Sequence, residues 1–134
     1  MGHTAVMDQA DEIWNRAASG GTGALLPGDN ALAAALRFHS AAMSGGVLNA
    51  TENLDAAELD GAEAGFAWLG LDPVASVISG VRSEIAFGLL DDDRADEFEA
   101  AADEQYGELL SSDADLESAF RRRLAEQPGA FAGA

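Results

Sequence analysis

Apolar residues recur along this chain at intervals of three and four, the spacing that lines up one face of an α-helix. Val6, Ala10, Ile13, Trp14 and Ala17 form the first stripe. Thr4 is placed to cap that helix, and Ser19-Gly20-Gly21-Thr22-Gly23 to stop it. Pro27-Gly28 closes the connection. Asp29 then stands as the N-cap of a second helix bearing Leu32, Ala35, Leu36, His39 and Met43, which ends at Ser44-Gly45-Gly46. Residues 47–54 make a short helical stretch or turn. Asp55 and Glu58 form a capping pair for a helix carrying Leu59, Ala62, Phe66 and Leu69, which stops at Gly70.

Asp72-Pro73 is a start signal, an N-cap followed by proline at the first helical position. Behind it, Val74, Val77, Ile78, Val81 and Ile85 are the most apolar stripe in the chain, which marks this helix as the central one. After Gly88 and Asp91-Asp92-Asp93 comes a long helix to about Leu110, with Ala95, Phe98, Ala102, Tyr106 and Leu109 on its apolar side. Ser112, with Asp115 three residues on, caps a last helix bearing Leu116, Phe120 and Leu124, and Gln127-Pro128-Gly129 ends it. Only 11 residues are Val, Ile or Thr, too few to populate a sheet. The prediction is one all-α domain of about six to seven helices. Residues 1–28 give an N-terminal helix and Gly-rich linker, 29–126 the main body, and 127–134 a small-residue tail.

Composition narrows this further. The hydrophobic fraction is 48%, but 29 of those residues are Ala, so the core must be built from about 35 larger side chains. Without cysteine, disulfides and thiolate chemistry are excluded. No apolar run approaches the roughly 18 residues of a membrane span, and Met1 to Val6 lacks the basic head of a signal peptide, so a cytoplasmic protein is expected. The periodic Phe, Trp and Leu positions argue against disorder.

Charge changes the picture most. There are 24 Asp and Glu against 7 Arg and no Lys, a net charge of -17. A magnitude of about 2 to 8 suffices for solubility in a small domain, and the excess opposes compaction. Direct contact with nucleic acid or an anionic membrane is disfavoured, because both rely on Lys and Arg. A basic protein partner is favoured instead.

The acid is clustered. From Asp91 to Glu117 there are 12 acidic residues and one base, Arg94. Asp92, Asp96, Glu99 and Asp103 fall on one line of the long helix, and Asp93, Glu97, Glu104 and Glu108 on a second. Glu52, Asp55, Glu58, Asp60 and Glu63 make another cluster in a stretch with no base between Arg37 and Arg82. Two readings follow. The carboxylates are either solvated helix faces, or a surface imitating the phosphates of DNA. Duplex DNA carries one charge per roughly 1.7 Å, and one carboxylate row about one per 5 to 6 Å, so mimicry would call for both clusters or two subunits.

Ser44-Gly45-Gly46-Val47-Leu48-Asn49-Ala50 after an amphipathic helix resembles the Asn-Gly-Gly-aromatic motif of a family of small, acidic, all-helical bacterial domains, with Ser44 for Asn and Val47 for the aromatic. Gly65-Phe66-Ala67-Trp68-Leu69-Gly70 and the acidic helix ending near Tyr106 are similar in order and placement, so that the resemblance spans residues 29–126. That family includes a DNA-mimic protein. The resemblance implies a non-enzymatic binding protein, often a homodimer, with no catalytic residues or cofactor to carry over.

Other chemistry finds little footing. Glu-x-x-His and His-Glu-x-x-His motifs are absent. Asp113-Ala114-Asp115 opens like a calcium loop but lacks its glycine and has Leu124 at the closing position. Asp91-Asp92-Asp93 is better explained as helix-start charge than as a cation site. The Gly-rich run has neither the Lys of a phosphate loop nor a preceding strand. His39 on an apolar face is expected to be a hydrogen-bonded core residue, and His3 lies at the terminus. Arg121-Arg122-Arg123 is expected to complement the last-turn carbonyls, or the acid of a second subunit. Trp68 lies off its helix's stripe, as an exposed anchor would.

The sequence therefore points to partner binding through Asp92, Asp96, Glu97, Glu99, Asp103, Glu104 and Glu108, supported by Glu52, Asp55 and Glu58, with no metal and no cofactor. Alternatives are an immunity protein or antitoxin blocking a basic toxin, and an enzyme using carboxylates and His39.

Overall fold

The computed structural model describes residues 9–18, 26–88 and 92–131. Among them the chain is all helical, without strands. The elements are α1 (Gln9–Ala18), α2 (Pro27–Gly45), α3 (Val47–Asn53), α4 (Ala56–Trp68), α5 (Asp72–Ala86), α6 (Asp92–Leu109) and α7 (Asp113–Glu126), followed by a 3-10 turn at Pro128–Ala130. Thr4, Val6, the run Ser19 to Gly23, Asp91, His3 and the last three residues lie outside the described residues.

Helix ends follow capping chemistry, with some shifts. Asp55 and Glu58 make the reciprocal box: the Glu58 N–H donates to Asp55 at 2.7 Å and the Asp55 N–H to Glu58 at 3.0 Å. Asp29 does not cap α2 from outside. The helix starts earlier because Pro27 enters at its first position with φ already helical, which leaves Asp29 in the first turn. There its buried carboxylate accepts the Leu26 N–H at 3.2 Å and pairs with Arg16 of α1. α5 starts at Asp72, so that Leu71 holds the N-cap position and makes no side-chain capping bond. Ser112 takes the N-cap position of α7, but its side chain makes no capping bond. Asp115 instead accepts from the Ser111 hydroxyl at 2.7 Å and N–H at 2.8 Å, which holds its carboxyl below the usual value. Gly46, at φ 94°, joins α2 to α3 in a conformation that favours glycine.

All seven helices contribute to one buried cluster. α2 is its centre, correcting the expectation for α5. Leu32, Ala35 and Phe38 of α2 are fully buried, and α2 touches α1, α3, α4 and the C-terminal turn. Phe38 meets Phe66 edge-on at 6.2 Å and Tyr106 at 5.9 Å. In α5, Val74, Ile78 and Val81 are buried, but Val77 and Ile85 are only half-covered.

The C-terminus departs from the expected tail. Pro128 opens the 3-10 turn, and this swings Phe131 into the core at 2% exposure, against Trp68 at 5.6 Å and Phe120 at 5.4 Å. Gly28 lies beneath: a Cβ there would fall 2.7 Å from the Ala130 carbonyl oxygen. Trp68 is consequently no exposed anchor. Phe131 covers one side, and the Arg123 guanidinium lies 5.7 Å from its ring while Nε donates to the Trp68 carbonyl at 2.6 Å.

Candidate functional site

α6 carries eight carboxylates and one arginine over 18 residues. Ala102 and Tyr106 are buried, as is Leu110 just beyond the helix; Ala95, Phe98 and Glu99 are half-buried, and the other described side chains from Arg94 to Leu109 are exposed. Asp96, Glu97, Glu104 and Glu108 are exposed and make no ion pair among the described residues. Glu104 and Glu108 follow Glu97 by seven and eleven residues, about 16 Å of axis in all, on the side away from the core. Glu99, on the other row, is half-buried. Asp92 opens the helix.

Asp103 has a structural task. Its carboxylate accepts the Val47 N–H at 2.8 Å and so caps α3 across 56 residues of sequence. No sequence pattern marks this pairing, because the two groups meet only once α3 and α6 pack.

The second predicted cluster is partly compensated by the fold, where two arginines meet three of its five carboxylates. Arg82 of α5 reaches back to Asp60 at 2.8 Å and also binds Glu63, and these two carboxylates hold the guanidinium more firmly charged than usual. Arg37 of α2 lies 3.7 Å from Glu58, which also takes part in the capping box with Asp55. Glu52 stays exposed at the end of α3. A stretch without bases in sequence thus receives two from its neighbours in space. Asp96, Glu97, Glu104 and Glu108 of α6 receive none among the described residues.

The arginine cluster also turns inward. Arg121 pairs with Glu117 at 2.8 Å and with Asp11 of α1 at 2.9 Å; Arg123 pairs with Glu126 at 3.1 Å in addition to Trp68. Arg122 remains exposed.

His39 is 3% exposed and bonded at both nitrogens, to the Tyr106 hydroxyl at 2.7 Å and to Asp113 at 2.8 Å. An ionised carboxylate only accepts, so Nε2–H donates to Asp113, and Nδ1 shares a hydrogen bond with the Tyr106 hydroxyl. This strut ties α2, α6 and α7 together beside a half-open cavity of about 510 Å³ that Trp14, Leu36, Met43 and Asp113 help to line. Both ring nitrogens of His39 are thus engaged within the fold. Burial, and then the charge of Asp113, push the Tyr106 phenol far above its usual value, which makes it a poor nucleophile at neutral pH. As Tyr106 is the one tyrosine, absorbance at 295 nm tests this directly. Tyrosinate should be absent near pH 10 and appear only as the protein unfolds. The folded phenol holds its proton where the unfolded one loses it, so stability falls as pH rises above about 10. Ordinary titration near pH 10 in the folded protein would contradict the burial.

Among the described residues no group of three or more His, Asp or Glu side chains is gathered to hold a metal ion, and no helix is long and apolar enough to cross a membrane. No family model, curated protein or solved structure matches the chain. What the chain does must be argued from the α6 surface and its surroundings.

Proposed function

We propose that this protein works by binding: the outward face of α6 engages a basic protein, in the manner of a DNA mimic occupying a nucleic-acid-binding surface. The observation that carries this reading is the contrast between the two acidic clusters. Arg37 and Arg82 pair with Glu58, Asp60 and Glu63 of α4, whereas Asp96, Glu97, Glu104 and Glu108 make no ion pair among the described residues. Like charges three and four apart on a helix are mildly destabilising, so the α6 face has a cost that a cationic partner would offset. With three carboxylates of the α4 cluster held in ion pairs, the unpaired acid is concentrated in a strip on one helix rather than over a duplex-wide surface. That strip suits a single basic helix or arm.

The test replaces Glu97, Glu104 and Glu108 together by Gln. All three are exposed, so circular dichroism should show an intact fold. Exposed ion pairs contribute about 0.5–1 kcal/mol each, and the triple variant should bind a cationic partner captured from native cytosol roughly ten- to a hundredfold more weakly. Added salt should mimic the substitution, and duplex DNA should compete for the partner. Undiminished capture by the Gln variant would refute the proposal.

A further inference from the structure

We infer that the groove between α5 and α6 seats the apolar face of a basic amphipathic helix, with the α6 carboxylates taking its cationic flank. This rests on the α6 face being the binding surface, and adds what the partner must look like.

Two adjoining hollows of about 230 and 420 Å³ run between the helices, sharing Ser76, Val77 and Gln105. The gap has a simple origin. Gly80 and Ala101 both line it, and neither has a side chain large enough to fill it; a Cβ on Gly80 would meet nothing within 4 Å. Val77 and Phe98 are left half-covered, and Leu109 is 37% exposed at one end. The groove runs from Ser76 to Glu84 on α5, about 12 Å, which accommodates some two turns of a docked helix. A helix of that length presents apolar anchors at i, i+3 or i+4 and i+7.

The rim fixes the sign of the partner. Glu84 lines one hollow and Glu108 the other, and no base lines either. Glu97, Ala101, Glu104 and Glu108 follow one another at four, three and four residues, so the carboxylates continue the stripe that Ala101 begins in the groove. Arg82, the base on α5, is held by Asp60 and Glu63. A second copy of the chain is a poor occupant, because the rim of one α6 would meet the same acid on the other. A trough of mixed lining, with Val77, Val81, Phe98 and Leu109 as its apolar contacts and an anionic edge, fits Leu-like anchors flanked by Lys or Arg.

The experiment uses the full chain and three dye-labelled peptides followed by fluorescence anisotropy: a Leu/Lys amphipathic helix of about 14 residues, a scrambled peptide of the same composition, and a Leu/Glu amphipathic helix. The Leu/Lys helix should bind at least about tenfold more tightly than its scramble, and the Leu/Glu helix should not bind. Gly80→Leu should plug the groove and weaken the Leu/Lys helix about tenfold while hardly affecting the scramble. Ala101→Gln, on an exposed position, does the same should Gly80→Leu melt early. Equal binding of helix and scramble, or indifference to both plugs, overturns the groove but leaves the acidic face standing if Glu97, Glu104 and Glu108→Gln still weakens both peptides. No binding of either basic peptide, or no effect of those Gln substitutions, overturns both. A dimer in sedimentation that Gly80→Leu dissociates would make a second copy the occupant and overturn the proposal.

Discussion

Phe131→Ala is expected to cost about 3–5 kcal/mol, the range for removing a fully buried aromatic side chain. The ring is 2% exposed and closes the end of the core, meeting Trp68 and Phe120 edge-on. Its removal leaves a void against Trp68 and frees the turn that holds the phenyl group in place. Domains of this size have about 5–15 kcal/mol in total, so the variant should be marginal, with a melting temperature lower by roughly 10–20 °C. Thermal denaturation followed by circular dichroism measures the loss. Trp68 should also emit further to the red, as water reaches the ring that Phe131 covers. A change below about 1 kcal/mol would mean that the C-terminal turn does not hold the core together.

That contact shows what the sequence could and could not disclose. The stripes at three and four residues located six of the seven α-helices among the described residues, because amphipathic periodicity is a local property; α3, too short to show a stripe, reads equally as a helical stretch or a turn. The Asp55–Glu58 box and the stop at Gly46 were equally visible, since capping depends on neighbours within four residues. Phe131 was not visible, because a small-residue segment after Pro128-Gly129 has the composition of a tail whether or not its one aromatic side chain finds a slot. The same applies to the polar contacts. Asp103 was legible as an acid on α6, but not as the cap of α3. His39 was legible as a core histidine needing partners, while Tyr106 and Asp113, 67 and 74 residues away, were beyond any local rule.

For the candidate site the consequence is sharper. Charge counted along the chain made the α4 region look like a second uncompensated surface. Counted in space, Arg37 and Arg82 fall upon it, and the contrast with α6 emerges only then. The groove beside α6 was hidden for a related reason. Gly80 and Ala101 are unremarkable in either helix alone, and leave a gap only because they share one interface.

Gly65→Ala and Gly80→Ala should move stability in opposite directions, although each is the same change inside a helix. Alanine favours a helix over glycine by about 0.8–1 kcal/mol, and at Gly80 nothing within 4 Å opposes the new methyl group. That variant should gain most of this amount. At Gly65 the methyl carbon would lie 2.5 Å from the Ala31 carbonyl oxygen and 3.2 Å from its carbon, both of them backbone atoms of α2. No rotamer change relieves such a clash, so α4 has to move off α2 and loosen the Phe38–Phe66 contact at the centre of the core. Overpacking of this kind costs typically 1–3 kcal/mol, and rigid backbone on the opposing side puts Gly65 near the top of that range, above the propensity gain. Gly61→Ala is the internal control, since its Cβ would sit 3.5 Å from the Ala34 methyl group, an ordinary contact. Urea denaturation of the three variants therefore should order them Gly80→Ala, Gly61→Ala, Gly65→Ala from most to least stable, with only the last falling well below the parent. If Gly65→Ala were as stable as Gly80→Ala, α2 and α4 could not be packed backbone to backbone. The centre of the fold, and with it the surface that α6 offers, would have to be drawn differently.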